Sequence, residues 1–376
     1  MSRRNCIWTF FIVWLLTVSS NLTSQTRHTC STFLLKTNDS LFVGHNLDEY
    51  FDISGIVVIN KRGIEKESLS WRDFRKGKKV GIPRTKWISK YGSVTYNNIG
   101  KDLIDGGMNE AGLYIGEMTL YGTRYPSKSN LPSIYHNYWM QYILDNYRSV
   151  PEVLESIDKM NVDGTCTWHF FVADRDGNAA AIEFIDGSTV IHTGKEMPYP
   201  ILCNTTYSSD LDSVALYKEY GGERPIDIND KENTKRTVRG TALLNRYQQS
   251  PSKPIRDYSF DILTALDLGN NKWQIVYDLK NSVMFFRTYK SKKVKLIHFS
   301  SFDFSNETPV LFIDIHTDVS GDVSNNFAEL TYGINKKYCK QFWKNLDFGF
   351  IWNIFVKPIT VWMIGGRMNG YIMNNQ

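Results

Sequence analysis

A hairpin that begins at Cys30 constrains this chain more than any other segment. Cys30-Ser31-Thr32-Phe33-Leu34-Leu35-Lys36 reads as a strand, Thr37-Asn38-Asp39-Ser40 is a cluster of turn formers, and Leu41-Phe42-Val43-Gly44 resumes a strand. A hairpin folds its far end back beside its start, so Gly44-His45-Asn46-Leu47-Asp48 is expected next to Cys30. A carboxylate there can hold an amine and orient a thiol.

The residues before Cys30 make that juxtaposition chemical. Arg3 and Arg4 form a short basic region, Ile7 to Val18 is apolar, and Ser19-Ser20-Asn21 follows, the three-part pattern of a secretory signal. The apolar stretch is short against the ~20 residues of an ordinary membrane span. Arg27-His28-Thr29 is not a small-x-small cleavage site, so the signal is expected to be cut upstream of it. Residues 1–29 are then a signal peptide plus a short propeptide, and residues 30–376 a single domain. The protein is expected to be exported, to a periplasm or the extracellular space. A second cut, with the Cys30 thiol attacking the Thr29 carbonyl, would be autocatalytic. It would leave Cys30 first in the chain, with thiol and α-amine on one carbon. An α-amine has a reference pKa near ~8, so part of it is uncharged at neutral pH and can act as a base. Nucleophile and base then share one residue.

Composition bounds the alternatives. The chain has 376 residues, 42% hydrophobic and 14% aromatic, ample for a sizeable core. Without Arg3, Arg4 and Arg27, 41 basic residues stand against 39 acidic ones, and so weak an excess gives no case for nucleic acid. Cys166, Cys203 and Cys339 are too widely spaced to read as a disulfide framework. Cys166-x-x-His169 reads as core positions of a strand, and no spacing suits a metal.

Strands are expected at 56–60, 92–96, 113–120, 169–173, 180–184, 273–277, 283–288 and 294–299, and helices at 132–148, 150–159 and 234–247. Gly106 to Leu113 reads as a turn. Many strands, several helices and no βαβ alternation argue for an α+β layered fold. The apolar tail from Phe348 to Ile364, interrupted by Lys357-Pro358, is expected to pack on the core. Lys61 to Lys86 holds ten basic and three acidic residues and reads as a solvated loop, with a cationic lid over an anionic substrate as the sharper alternative.

Two further segments complete the picture. Leu202-Cys203-Asn204-Thr205-Thr206-Tyr207 is an apolar run ending in an amide, and Arg236 lies on the 234–247 helix. Together with Cys30, Gly44-His45-Asn46-Leu47-Asp48, Asn109-Glu110-Ala111-Gly112-Leu113 and the strand–turn–strand unit from His169 to Phe184, these segments resemble the linear-amide C–N hydrolases of the choloylglycine hydrolase family. These are N-terminal-nucleophile enzymes that include bile salt hydrolases and penicillin V acylases. The resemblance runs from Cys30 to about Phe304. It implies a four-layer αββα sandwich and cleavage of a non-peptide linear amide through a thioester. It implies Cys30 as nucleophile, Asp48 as holder of amine and thiol, and Asn204 with the Thr119 backbone N–H as oxyanion donors. Arg236 stands beside the thiol, with Arg239 one turn on as its competitor. The substrate is a small N-acyl amide, with no metal or organic cofactor, and a homo-oligomer is compatible with the sequence. His45 stands where bile salt and penicillin V enzymes carry arginine, and it is expected on the substrate side. An acyltransferase on the same scaffold and a non-catalytic binding protein are the rival readings.

Overall fold

The computed structural model describes residues 29–361 apart from 129, 165, 348 and 351. The expected signal segment, 1–28, and the last residues of the apolar tail lie outside the described residues.

Two sheets form the centre. In spatial order the first is Ile201–Leu202, Ser31–Lys36, Leu41–Asp48, Asn271–Asp278, Val283–Thr288, Lys295–His298 and Gly321–Asp322. The second is Ser188–Thr193, Ala179–Ile185, Trp168–Ala173, Tyr114–Thr119, Gly106–Asn109, Ser93–Asn97, Ile56–Asn60, Leu311–Asp314 and Ala328–Glu329. Alternation along the strands sends one set of side chains inward from each sheet. Leu34, Val43, Leu47, Ile275 and Met284 from the first meet Val57, Val94, Met108, Met118 and Phe171 from the second in one buried core. The other faces are covered by helices. Phe33, Phe42 and Val276 pack with Leu244, Leu263 and Leu266 of helices Arg236–Gln249 and Ile255–Leu266. Ile115, Phe170 and Ile182 pack with Trp139, Met140 and Ile143 of helix His136–Asn146. Each such fully buried side chain stabilises by roughly 1.5–3 kcal/mol. The result is the four-layer αββα sandwich.

Several local expectations are corrected. Gly106–Asn109 is a strand, paired with Ser93–Asn97 and Tyr114–Thr119, where a turn was expected. The glycines read as turn formers but are strand residues because of their neighbours: a Cβ on Gly106 would lie 2.1 Å from the Tyr96 hydroxyl. The turn is confined to the four residues that follow Asn109. Residues 132–148 begin with a short strand, Ser133–Tyr135, before the helix. The basic segment is solvated in part, with Arg72, Arg75, Lys76, Lys78 and Lys79 exposed, but it is not a bare loop. Ser70 caps helix Trp71–Lys76 through a capping box with Asp73, and Arg84 pairs with Asp73 at 2.7 Å. Lys66 is buried between Asp102 and Asp145, at 3.0 Å from each. Most of the cations are thus held by carboxylates or carbonyls. In the described part of the tail, Phe350, Ile354, Phe355 and Ile359 are exposed, so these side chains are not packed on the core. Among the described residues, no helix is long and apolar enough to cross a membrane.

Candidate active site

The hairpin sets the site. Strands Ser31–Lys36 and Leu41–Asp48 pair with Ser31 opposite Asn46 and Thr32 opposite His45, so Cys30 falls opposite Leu47 and beside Asp48. Gly44 makes this pairing possible, because a Cβ there would lie 2.3 Å from the Phe33 ring that covers it. Cys30 is 3% exposed. The Asp48 N–H donates to its Sγ at 3.5 Å, and the thiol faces the Asp48 carbonyl at 3.8 Å. Burial raises the thiol pKa well above its usual value, and the carboxyls of Glu117, Asp48 and Glu49 push in the same direction. Burial also raises the Glu117 pKa well above its usual value, and burial is the largest effect on the thiol.

Asp48 is fully buried and its carboxylate is held from two sides. Thr29 Oγ1 donates to Oδ2 at 2.8 Å, and Asn271 Nδ2 donates to Oδ1 at 2.8 Å. Asn271 reaches it from a β-bulge between Asn271 and Trp273, opposite Asp48 and Leu47. The same amide bonds Asn46 Oδ1, while Asn46 Nδ2 donates to the Leu263 carbonyl, fastening the strand to the helix behind it. Burial raises the Asp48 pKa to about 6, against the lowering effect of Asn271, Thr29 and Arg236.

Arg236 is the first residue of its helix, and its fork joins three groups. Nη1 donates to the Thr29 carbonyl and to the Cys30 carbonyl, the latter at 3.3 Å, and Nη2 donates to Asn204 Oδ1 at 2.5 Å. Asn204 Nδ2 in turn donates to the Thr119 carbonyl at 2.7 Å. That bond settles which end of the Asn204 amide is nitrogen and leaves its second N–H for another acceptor. Leu120 N–H bonds the Thr167 carbonyl across the ladder, so Thr119 is a non-bonded position there. Its N–H and C=O therefore point to the opposite edge, the edge on which the Asn204 amide sits. Arg239, one turn on, is fully buried and donates to the Thr234 and Ala265 carbonyls, so it belongs to the helix packing and Arg236 to the site.

Cys30, Asp48, Asn204, Arg236 and Thr119 thus form one connected network. Asn204 sits in an Asn-x-Thr sequence, and its amide bonds Arg236 and Thr119 with one N–H left over. His45 stands apart from the network. It faces the inner core, one strand over from Cys30 on the same face, with Nδ1 hydrogen-bonded to Thr32 Oγ1 at 2.6 Å and its ring 5.4 Å from that of Tyr96. Burial lowers its pKa to about 3, so it is neutral and does not replace the charge of an arginine. Its Nε2 is buried without a hydrogen-bond partner. Asn271 and Glu117 were not found from the sequence. Asn271 touches Asp48 from 223 residues away, and Glu117 is the middle of an unremarkable strand. Among the described residues no group of three His, Cys, Asp or Glu is arranged to hold a metal.

Comparison with known proteins bears on this geometry. Residues 30–243 match the family described as linear amide C–N hydrolases, choloylglycine hydrolase family, and the match opens on Cys30. A penicillin V acylase of Pectobacterium atrosepticum is 24% identical over 261 residues, covering 58% of this chain and 69% of that protein. The structure of penicillin V acylase from Agrobacterium tumefaciens superposes with a TM-score of 0.68 at 24% identity, covering 81% of this chain and 98% of that one. A variant of the conjugated bile acid hydrolase from Clostridium perfringens superposes with a TM-score of 0.63 at 16% identity, covering 77% and 98%. With more than half of its length matched, and with the sandwich in place, the chain belongs to the choloylglycine hydrolase family of linear amide C–N hydrolases and is an amidohydrolase.

Proposed function

We propose that the mature chain begins at Cys30 and that this cysteine cleaves small N-acyl amides of the penicillin V or conjugated bile acid type. One observation carries the reading: an unbroken run of contacts from Asp48 through Cys30, Thr29, Arg236 and Asn204 to Thr119.

The protein is first exported, and the residual propeptide is then removed. In the chain that still carries Thr29, Arg236 donates to the carbonyl of the bond to be cut. The thiol sulfur bonds to that carbonyl carbon, Arg236 steadies the oxyanion, and the C–N bond breaks as the thiol proton passes to the new amine. Water then hydrolyses the thioester. The freed α-amine lies beside Asp48, which holds it by charge.

Turnover repeats the chemistry on a substrate amide. In its uncharged fraction the amine, through a water, takes the thiol proton as sulfur attacks the acyl carbon. The Thr119 N–H and the second Asn204 N–H receive the oxyanion. The proton passes to the leaving nitrogen, the C–N bond breaks, and water releases the acid and restores the thiol.

The test is made on secreted protein. Intact mass should show a chain beginning at Cys30, and penicillin V and a conjugated bile acid are the substrates to assay. Cys30→Ala should abolish turnover and retain the propeptide. Full activity of Cys30→Ala would end this reading.

A further inference from the structure

We infer that Glu183 and His169 are positioning residues for Asn204 and so govern how well the oxyanion is received; the inference rests on the role of Asn204 proposed above. Asn204 lies in the five-residue segment 203–207, which runs from the end of strand Ile201–Leu202 into the first residue of helix Tyr207–Val214. Both ends of that segment are fastened to one buried carboxyl. At the start, His169 Nε2 lies 2.8 Å from the Cys203 carbonyl, and His169 Nδ1 lies 3.0 Å from Glu183 Oε1. At the end, the Tyr207 N–H donates to Glu183 Oε1 and Oε2 at 3.0 and 3.2 Å. His169 and Glu183 are both fully buried.

The proton inventory is closed. A backbone carbonyl only accepts, so His169 Nε2 carries a hydrogen and donates it to Cys203. Glu183 accepts from Tyr207, and a single proton joins its Oε1 to His169 Nδ1. His192 Nε2 approaches the other carboxyl oxygen at 3.6 Å. A ring engaged at both nitrogens cannot turn without losing a buried hydrogen bond.

The anchor also has the right address. His169 and Glu183 lie on the adjacent strands Trp168–Ala173 and Ala179–Ile185, and Trp168 is the direct partner of Thr119 on the next strand. The two oxyanion donors come from different sheets, Thr119 from one and Asn204 from the end of a strand of the other. The Glu183–His169 pair ties the Asn204 segment to the ladder that carries Thr119. The Asn204 side chain itself bonds the Thr119 carbonyl and Arg236, whereas the Glu183–His169 pair holds the backbone on either side of it; Thr205 to Asp210 and the Thr206 cap on Ser209 are internal to the segment and its helix.

The experiment uses the processed enzyme and two reagents at Cys30. Acylation by p-nitrophenyl acetate develops an oxyanion, whereas alkylation by iodoacetamide is a displacement at carbon that does not. Glu183→Gln should slow acylation about 10- to 100-fold, the scale of a small misplacement of a reacting group. Alkylation should stay within about twofold. In an Asn204→Ala background the same substitution should change acylation by less than about twofold, the mark of two residues acting through one another. An equal loss in both backgrounds, an equal loss of acylation and alkylation, or no loss would overturn the inference. Undiminished acylation in Asn204→Ala alone would instead remove the reading beneath it. If Glu183→Gln does not fold, nitrogen NMR of His169 in the native enzyme decides: a protonated Nε2 is expected, and an unprotonated one refutes the arrangement.

Discussion

Asp48 gives the site its pH dependence. In the chain that still carries Thr29 its pKa is about 6, against 3.8 for an ordinary aspartate. Between those values the folded state holds the proton more firmly than the unfolded state. The contribution of Asp48 to stability is therefore greatest below about pH 4 and falls as pH rises through 6, by up to roughly 3 kcal/mol at 1.36 kcal/mol per pKa unit. The measurement is urea unfolding of Cys30→Ala, which on the proposed processing keeps the propeptide, with and without Asp48→Asn. The stabilising effect of Asp48→Asn should be larger at pH 7 than at pH 4; an equal effect at both would contradict the buried-carboxyl account. Freeing the α-amine places a cation beside Asp48 and should remove most of this dependence in the mature enzyme. Cys30 and Asp48 were legible in the sequence because a hairpin converts an 18-residue separation into adjacency by local rules alone. Asn271, Glu183 and Glu117 were not, because what makes them matter is a contact made by the assembled fold.

Elements were read best where periodicity and turn chemistry agreed. Strand Ile56–Asn60, strand Val283–Thr288 and helix Arg236–Gln249 appeared within two residues of their expected positions. Gly106–Asn109 was misread because glycine pairs signal turns, whereas here they make room for Tyr96 and for Thr95 of the neighbouring strand. Helix Ile255–Leu266 went unread although it covers the catalytic hairpin. Charge density in the segment from Lys61 to Lys86 was a sound guide at the exposed Arg72, Arg75, Lys76 and Lys78, and failed elsewhere in it. Lys66 shows why: Lys66, Lys101, Asp102 and Asp145 form a buried cluster of two cations and two anions. Lys66→Met leaves two buried carboxylates facing one lysine and should destabilise by about 3–5 kcal/mol, as breaking a buried ion pair does. Thermal unfolding reads this directly, and a loss below about 1 kcal/mol would assign the cluster to the exposed, weakly coupled class.

At the scale of the molecule, the site depends on both sheets. Cys30, Asp48 and Asn204 belong to one, Thr119 and the Glu183–His169 anchor to the other, and Arg236 enters from an outer helix. A sliding of one sheet over the other would part the two oxyanion donors before either sheet lost its own hydrogen bonds. Activity and tryptophan emission should therefore fall together in urea, since Trp273 lies in the inter-sheet core and Trp139 on the inner face of helix His136–Asn146. Loss of activity at clearly lower urea would mean that the site yields before the sandwich does.

The hold of Arg236 on the Thr29 carbonyl has a consequence in time as well as in space. As long as Thr29 is attached, the arginine and Asp48 are both occupied by the chain's own leader, and the α-amine does not yet exist. On the processing proposed above, the protein is latent until its leader is cut, and the cut itself arms it. A hydrolase processed in that way does its first piece of chemistry on itself.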